Sequence, residues 1–413
     1  MPQTLAQKLV ARAAGRAAVS PGEIVTCKVD LAMLHDSSGP RRVQPMLERL
    51  GAKVWDPSKV VLITDHYLPE HDEESRKIVR IAREWAAANR PGGFYDAQGI
   101  CHVVLPERGH LRPGMFAVGG DSHSPTGGAF AAYMFGIGAT EMLGVLVTGE
   151  IWLKVPHTIA MEFSGRLSRG VSAKDMMLFL IGRFGLDGGQ YQAVEYRGEA
   201  IRALPMQERM TLCNMAAELG AQTGLIASDE TTRVYLKREV ELWDSDAGAA
   251  LLSRHSFDAS ALAPQVALPH SPANSRSVND ISSTEVNVAY IGACTGAKLE
   301  DLRMAAQVFK GRKSKIRLMV APASLRDQEA ARQEGVLKIL EDAGAELLAN
   351  SCGICAGYGG HLLKEDAVAI STTARNFKGR MGSPKSQVYL ASPYTVAASA
   401  VAGRIADPRE FLR

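Results

Sequence analysis

Six cysteines in 413 residues are too few for a disulfide scaffold. The net charge of +3 is too small to argue for nucleic acid or a membrane surface as a partner. No apolar run reaches membrane-spanning length; the longest candidate, from Ala129, is broken by Gly136, Gly138 and Glu141. No internal repeat or low-complexity tract stands out, and no secretion signal is present. Residues 1–22 carry Lys8, Arg12 and Arg16 and no acid, which superficially resembles an organelle transit peptide. Thr4 and Gln7 instead fit a capping box, with Leu5, Leu9 and Ala13 along one helical face. The expectation is a first helix over residues 5–14 of a soluble, cytoplasmic protein. What the chain does have is glycine, 39 of them, which suits many strand–turn–helix junctions.

That length implies two or three domains with ample core. Val60-Val61-Leu62-Ile63-Thr64 is continuous and mostly β-branched, as a doubly buried parallel strand would be. Residues 72–89 predict a helix stopped by Pro91-Gly92. Residues 99–105 and 115–118 read as further strands. A second unit opens with a strand at Thr158, a helix over 172–184 and a strand over 192–196. Residues 254–284, with Pro264, Pro269 and Pro272, read as an inter-domain linker. The rest alternates: strands at 286–291, 316–320, 346–348, 367–370 and 388–390, helices at 326–343 and 394–405. Alternating strands and helices predict parallel α/β architecture. The expected domains are residues 1–157, 158–285 and 286–413.

The strands end in chemically capable residues: Asp65-His66, Asp121-Ser122-His123, Cys294-Thr295 and Arg375-Asn376. In open parallel sheets, ligands bind beyond the carboxyl ends of the strands. Leu34-His35-Asp36-Ser37-Ser38-Gly39 is a polar loop that is either a turn or part of such a site. A further His, His102, is embedded in the strand expected at 99–105, and Glu195 is a carboxylate within another, where Glu is disfavoured. Cys352-Gly353-Ile354-Cys355 is a C-x-x-C in a glycine-containing turn. With Cys294 it suggests three thiolates at a metal, leaving one coordination position open for Lewis-acid chemistry. Two other readings stay open at this point: small buried hydrophobes, or a zinc site completed by a His. Cys27, Cys101 and Cys213 adjoin apolar runs and read as core. Arg375 and Arg380 offer guanidinium forks suited to a di- or tricarboxylate.

These residues carry a resemblance. Gly119-Gly120-Asp121-Ser122-His123-Ser124-Pro125-Thr126, Phe135-Gly136-Ile137-Gly138, Ile291-Gly292-Ala293-Cys294-Thr295, Glu300-Asp301-Leu302, Ser351-Cys352-Gly353-Ile354-Cys355, Arg375-Asn376-Phe377-Lys378-Gly379-Arg380 and Ser392-Pro393 resemble the aconitase superfamily. They are closest to the large subunits of 3-isopropylmalate dehydratase and homoaconitase. The resemblance implies three α/β domains with mostly parallel sheets around a central cleft. It implies that Cys294, Cys352 and Cys355 hold a [4Fe–4S] cluster with one iron not ligated by protein, and that a substituted malate is reversibly dehydrated and rehydrated. Asp65, His66, His102, Asp121, His123 and Glu195 would be catalytic; Ser122, Arg375 and Arg380 would bind substrate. The swivelling fourth domain, which bears the proton-abstracting serine, does not follow before Arg413, so a separate small subunit is expected to supply it.

Three departures accompany the resemblance: Gly296 and Ala374 replace asparagines, and residues 356–360 lack another. They leave open a hydro-lyase for another malate or maleate, such as a homoaconitate, methylmalate or dimethylmalate type, and a cluster-free or mononuclear-metal relative. A non-catalytic RNA-binding protein is the remaining alternative.

Overall fold

The computed structural model describes residues 1–281 and 284–412. The N-terminal helix is Leu5–Ala13, and the Thr4–Gln7 capping box forms as its sequence requires. The first sheet has five strands, in the order Gly93–Asp96, Val60–Thr64, Leu31–His35, Phe116–Gly119, Tyr133–Gly136. All its pairings are parallel. Val60–Thr64 and Leu31–His35 are buried along their whole length, as strands covered on both faces must be. From Leu31–His35 the chain runs outward through two strands on one side, then returns to Phe116–Gly119 on the other. The order therefore reverses between His35 and Gly119, the kind of place where α/β sheets open a crevice.

The second sheet, also parallel, orders Thr223–Leu225, Ala193–Arg197, Thr158–Ser164 and Ser253–Asp258. The third has seven strands: Ser275–Ser277, Gln265–Ala267, Gln387–Ala391, Val368–Ser371, Val288–Ile291, Arg317–Val320 and Ala345–Leu347. Its reversal falls between Val288–Ile291 and Val368–Ser371, which pair in parallel. A separate antiparallel ribbon joins Ile24–Lys28 to Glu150–Lys154. The mostly parallel α/β architecture is thus present. Among the described residues, no helix is long and apolar enough to cross a membrane.

Three expectations are corrected. Residues 254–284 are not a plain linker. Ser253–Asp258 pairs with Thr158–Ser164 in the second sheet. Gln265–Ala267 runs antiparallel to Gln387–Ala391 in the third. Ser282 and Ser283, the end of that stretch, lie outside the described residues, as does Arg413. The strand expected at 99–105 is the helix Cys101–Glu107. Its first N–H, on Cys101, donates to Asp65 Oδ2 at 2.7 Å, so a residue far along the chain caps a β-branched segment into a helix. The helix expected at 326–343 is two, Leu325–Gln333 and Val336–Asp342, divided at Gly335, whose φ is 74°.

Candidate active site

The two reversal points face one another, and most of the predicted site residues meet between them. Val60–Thr64 delivers Asp65 and His66, Phe116–Gly119 delivers Asp121 to His123, and Val288–Ile291 delivers Cys294. Between Ile291 and Cys294 the chain turns through Ala293, a buried non-glycine residue at φ 68°, which is left-handed backbone held by its surroundings. The cysteine turn is fastened to the first sheet. Cys352 N–H donates to the Asp65 carbonyl at 2.8 Å, and Ser351 Oγ donates to Leu68 O at 3.0 Å.

Asp36 organises the first-sheet end of the site. Its wholly buried carboxylate accepts from the backbone N–H groups of His66 and Tyr67 at 3.1 and 2.8 Å. Burial would raise its pKa, but His35, His66 and the Tyr67 N–H bring it to about 2. His66 Nδ1 donates to Asp65 Oδ1 at 2.7 Å, and its Nε2 lies 3.7 Å from Asp121 Oδ2. Burial alone would keep this ring neutral; Asp65, Asp121 and Asp36 outweigh it and raise its pKa well above the usual value. His102 Nε2 meets Asp121 Oδ1 at 2.7 Å. Here burial prevails over Asp121, and the pKa is lowered. Asp121, despite burial, is held well below the usual range by His102, His66 and His123. One carboxylate is therefore shared by imidazoles of opposite protonation preference, a pairing useful for moving a proton.

The cysteines form the other wall. Cys294, Cys352 and Cys355 are 5%, 8% and 4% exposed, so no solvent shell stabilises their thiolates. Burial raises Cys294 to about 12. Cys355 is brought to about 6 against burial by the neighbouring Cys352 thiol, with Arg380, His123 and Arg375 helping. Asn214 Nδ2 donates to Cys294 Sγ at 3.2 Å. Three buried sulfurs, one amide donor and nearby guanidinium groups suit an electron-rich iron–sulfur group. Buried polar atoms are also left over: among the described residues, His35 Nδ1, Asn214 Oδ1 and Glu218 Oε2 have no hydrogen-bond partner. Polar atoms in a native core are ordinarily paired, so these are free to meet a bound group.

Arg375 Nε donates to Glu218 Oε1 at 2.6 Å, and Arg380 Nε to the Cys355 carbonyl at 2.9 Å. Among the described residues their Nη atoms make no hydrogen bond, so both forks remain open to a ligand. Ser122 is exposed beside Asp121.

Glu195 is not brought to this site. It is 1% exposed in the second sheet, accepting from Ser245 Oγ at 2.8 Å and Arg197 Nε at 2.8 Å. The buried carboxylate that does reach the site is Glu218, which meets His123 Nε2 at 2.8 Å as well as Arg375. Burial would raise it, but His123 and Arg375 bring it to about 2. The signal for it was a lone acid in the small apolar run Met215-Ala216-Ala217-Glu218-Leu219, four residues after Asn214. His35, from the polar loop left open as either a turn or part of the site, also reaches it. Its ring stacks on that of His66 with centroids 4.1 Å apart.

The family model of the aconitase family (aconitate hydratase) matches residues 7–403. The chain is 43% identical to 3-isopropylmalate dehydratase large subunit 1 of Methanopyrus kandleri, over all of both chains. It is 42% identical to the 3-isopropylmalate dehydratase large subunit of Moorella thermoacetica, again over all of both. It is 44% identical to a probable methanogen homoaconitase large subunit of Methanosarcina mazei, over 93% of this chain and 99% of that one. The crystal structure of holo aconitase X from Thermococcus kodakaraensis superposes with a TM-score of 0.51 at 13% identity, covering 85% of this chain and 84% of that one. That last likeness speaks for the fold alone.

Proposed function

The chain belongs to the aconitase family and is a hydro-lyase, and from that premise we propose that it is a large subunit whose three cysteines hold a [4Fe–4S] cluster and whose substrate is a substituted malate. The observation that carries this reading is the meeting of Cys294, Cys352 and Cys355 with the His66–Asp121–His102 group across one buried seam, fastened by Cys352 N–H on Asp65 O. When bound, the cluster supplies an open Lewis-acid position that weakens a carbon–oxygen bond.

The chain's own groups supply the rest. His66 holds a proton at Nε2 while Asp65 fixes its Nδ1, so it can protonate a departing hydroxyl as water leaves. His102 and Asp121 orient around it. The open forks of Arg375 and Arg380 bind substrate carboxylate, and Glu218 keeps Arg375 and His123 in register. A small subunit completes the site and contributes the serine that removes the carbon-bound proton. Relatives named as large subunits support that partner.

A second reading has one observation in its favour. His35, Asp36, Asp65 and His66 form one set, and His102, Asp121 and His123 another, with ligand atoms within 4.8 Å of one another. Either could hold a single metal ion. Iron and sulfide analysis after anaerobic reconstitution separates the two. The expected outcome is a brown protein with sulfide matching iron, which loses both on Cys352→Ala. It then dehydrates one member of a malate panel when its small subunit is added. Full iron content in Cys352→Ala overturns the cysteine assignment.

A further inference from the structure

Beyond the cysteines and histidines, the site carries a row of rings. His66 has two ring neighbours: His35, stacked at 4.1 Å, and Tyr358, tilted at 6.5 Å. Tyr358 in turn stacks on Tyr67, with centroids 4.5 Å apart and planes 18° from parallel. His35, His66 and Tyr67 are 2%, 5% and 9% exposed, whereas Tyr358 is 37% exposed. The row therefore begins in the core and opens at Tyr358.

That open ring is held in place. Its own N–H donates to Gly353 O at 2.8 Å, inside the cysteine turn. The turn packs so closely on the Asp65–Leu68 segment that a Cβ at Gly353 would stand 2.6 Å from Leu68 O. The cations nearby are disposed unequally. Arg375 and Arg380 present open forks on the Cys355 side. Arg41 lies over the Tyr67 ring at 5.2 Å with its Nε tied to Ser37 O. Arg41 is thus engaged by Ser37 O and the Tyr67 face, and the group that stands at the open end of the row is the Tyr358 ring. An aromatic face is electron-rich: it accepts an alkyl group and repels a carboxylate.

We propose that Tyr358, backed by Tyr67, is the wall against which the variable substituent of the substrate packs, and that it selects malates bearing an apolar substituent over those bearing a third carboxylate. This rests on the proposed function, since it presupposes a malate bound beside His66.

The test uses the large subunit reconstituted anaerobically with its small subunit. For wild type, Tyr358→Ala, Tyr358→Ser and Tyr358→Phe, kcat/KM is measured for an isopropyl-substituted malate and for a tricarboxylic homologue. Calorimetric Kd values are measured in parallel for two unreactive analogues, isopropylsuccinate and propane-1,2,3-tricarboxylate. Wild type is expected to favour the apolar member of each pair. Tyr358→Ala and Tyr358→Ser are expected to lower that preference at least about tenfold, the scale of a lost apolar contact in a pocket. Tyr358→Phe is expected to keep it. A preference unchanged within about threefold in both truncated variants, including the case in which only small-subunit affinity falls, overturns the wall while leaving the proposed function standing. Wild type that binds and converts neither class overturns the proposed function itself.

Discussion

Glu218→Gln removes one charge from the most tightly shared carboxylate of the site. Glu218 is 4% exposed, and its Oε1 accepts from both His123 Nε2 and Arg375 Nε. Burial would raise its pKa above the ordinary 4.5, yet His123 and Arg375 bring it to about 2. A folded-state pKa below the unfolded one means that the group stabilises the fold fully above about pH 4.5. That contribution is lost as pH falls towards 2. The difference between 4.5 and about 2 corresponds to about 3 kcal/mol. A similar figure, about 3–5 kcal/mol, follows from leaving the other half of a buried ion pair alone. Gln keeps the shape and can still offer its carbonyl oxygen to both donors, which meet the same Oε1, with its NH2 where Oε2 has no partner among the described residues; what it removes is the charge. The assay is urea unfolding of the large subunit at matched cluster content, followed by tryptophan fluorescence and far-ultraviolet circular dichroism together, because a chain of 413 residues need not unfold in one step. At pH 7 the variant is expected to be about 3 kcal/mol less stable in the transition that exposes this seam. At pH 3.5 the gap is expected to shrink to about 2 kcal/mol, since wild type alone loses stability from this group there. A gap under about 1 kcal/mol at pH 7, or one that does not narrow in acid, would refute the view that Glu218 is a charged keystone for His123 and Arg375.

Gly296→Ala is expected to destabilise the chain by about 2 kcal/mol or more and to impair cluster assembly. A Cβ there would lie 2.1 Å from Thr372 Cβ and 2.9 Å from Thr372 O, and the Thr372 side chain is fully buried. An unchanged thermal melt would show that the strands can separate at no cost. Glu107 is raised to about 8, first by burial and then by the Asp327 carboxylate. A carboxyl raised in the folded state loses stability for the fold as pH climbs from about 4.5 to 8. Glu107→Gln should therefore melt with wild type at pH 4.5 but above it at pH 8.5, by on the order of 1 kcal/mol; a difference independent of pH would count against it.

What was legible in the sequence is what depends on one segment at a time. The first helix followed from Thr4 and Gln7, and the capping box formed. The strands Val60–Thr64 and Val368–Ser371 followed from β-branched runs, and the groups at their carboxyl ends followed from the rule for parallel sheets. What was not legible depends on contact between distant segments. Cys101–Glu107 became a helix because Asp65, 36 positions away, accepts its first N–H. Glu218 reaches His123 and Arg375 across 95 and 157 positions, from a turn that its own neighbours mark only as small and apolar. Glu195 looked the better candidate because a carboxylate in a strand is locally odd. Its oddity is answered locally too, by Arg197 two residues on, with Ser245 from across the fold.

The lost asparagine at position 296 shows how such a departure should be weighed. Read alone, Gly296 subtracts an amide from the surroundings of Cys294. In the fold the space is already filled. Thr372 Oγ1 occupies it, accepting from Gly292 N–H at 2.8 Å and donating to Gly292 O at 2.8 Å. Lys174 Nζ, buried beside it, donates to Thr295 Oγ1 at 3.2 Å and Thr373 O at 2.6 Å, and Lys298 Nζ donates to Cys294 O at 2.8 Å. The backbone around Cys294 is thus braced by a threonine and two lysines. Burial brings Lys174 to about 8, a disfavour to its charge that the cysteines and Asp301 partly offset. An anionic group bound by the cysteines would favour that charge further. Loading the proposed cluster should therefore steady the strand ends of the third sheet, and the departure at Gly296 belongs with the bracing of this seam rather than with its loss.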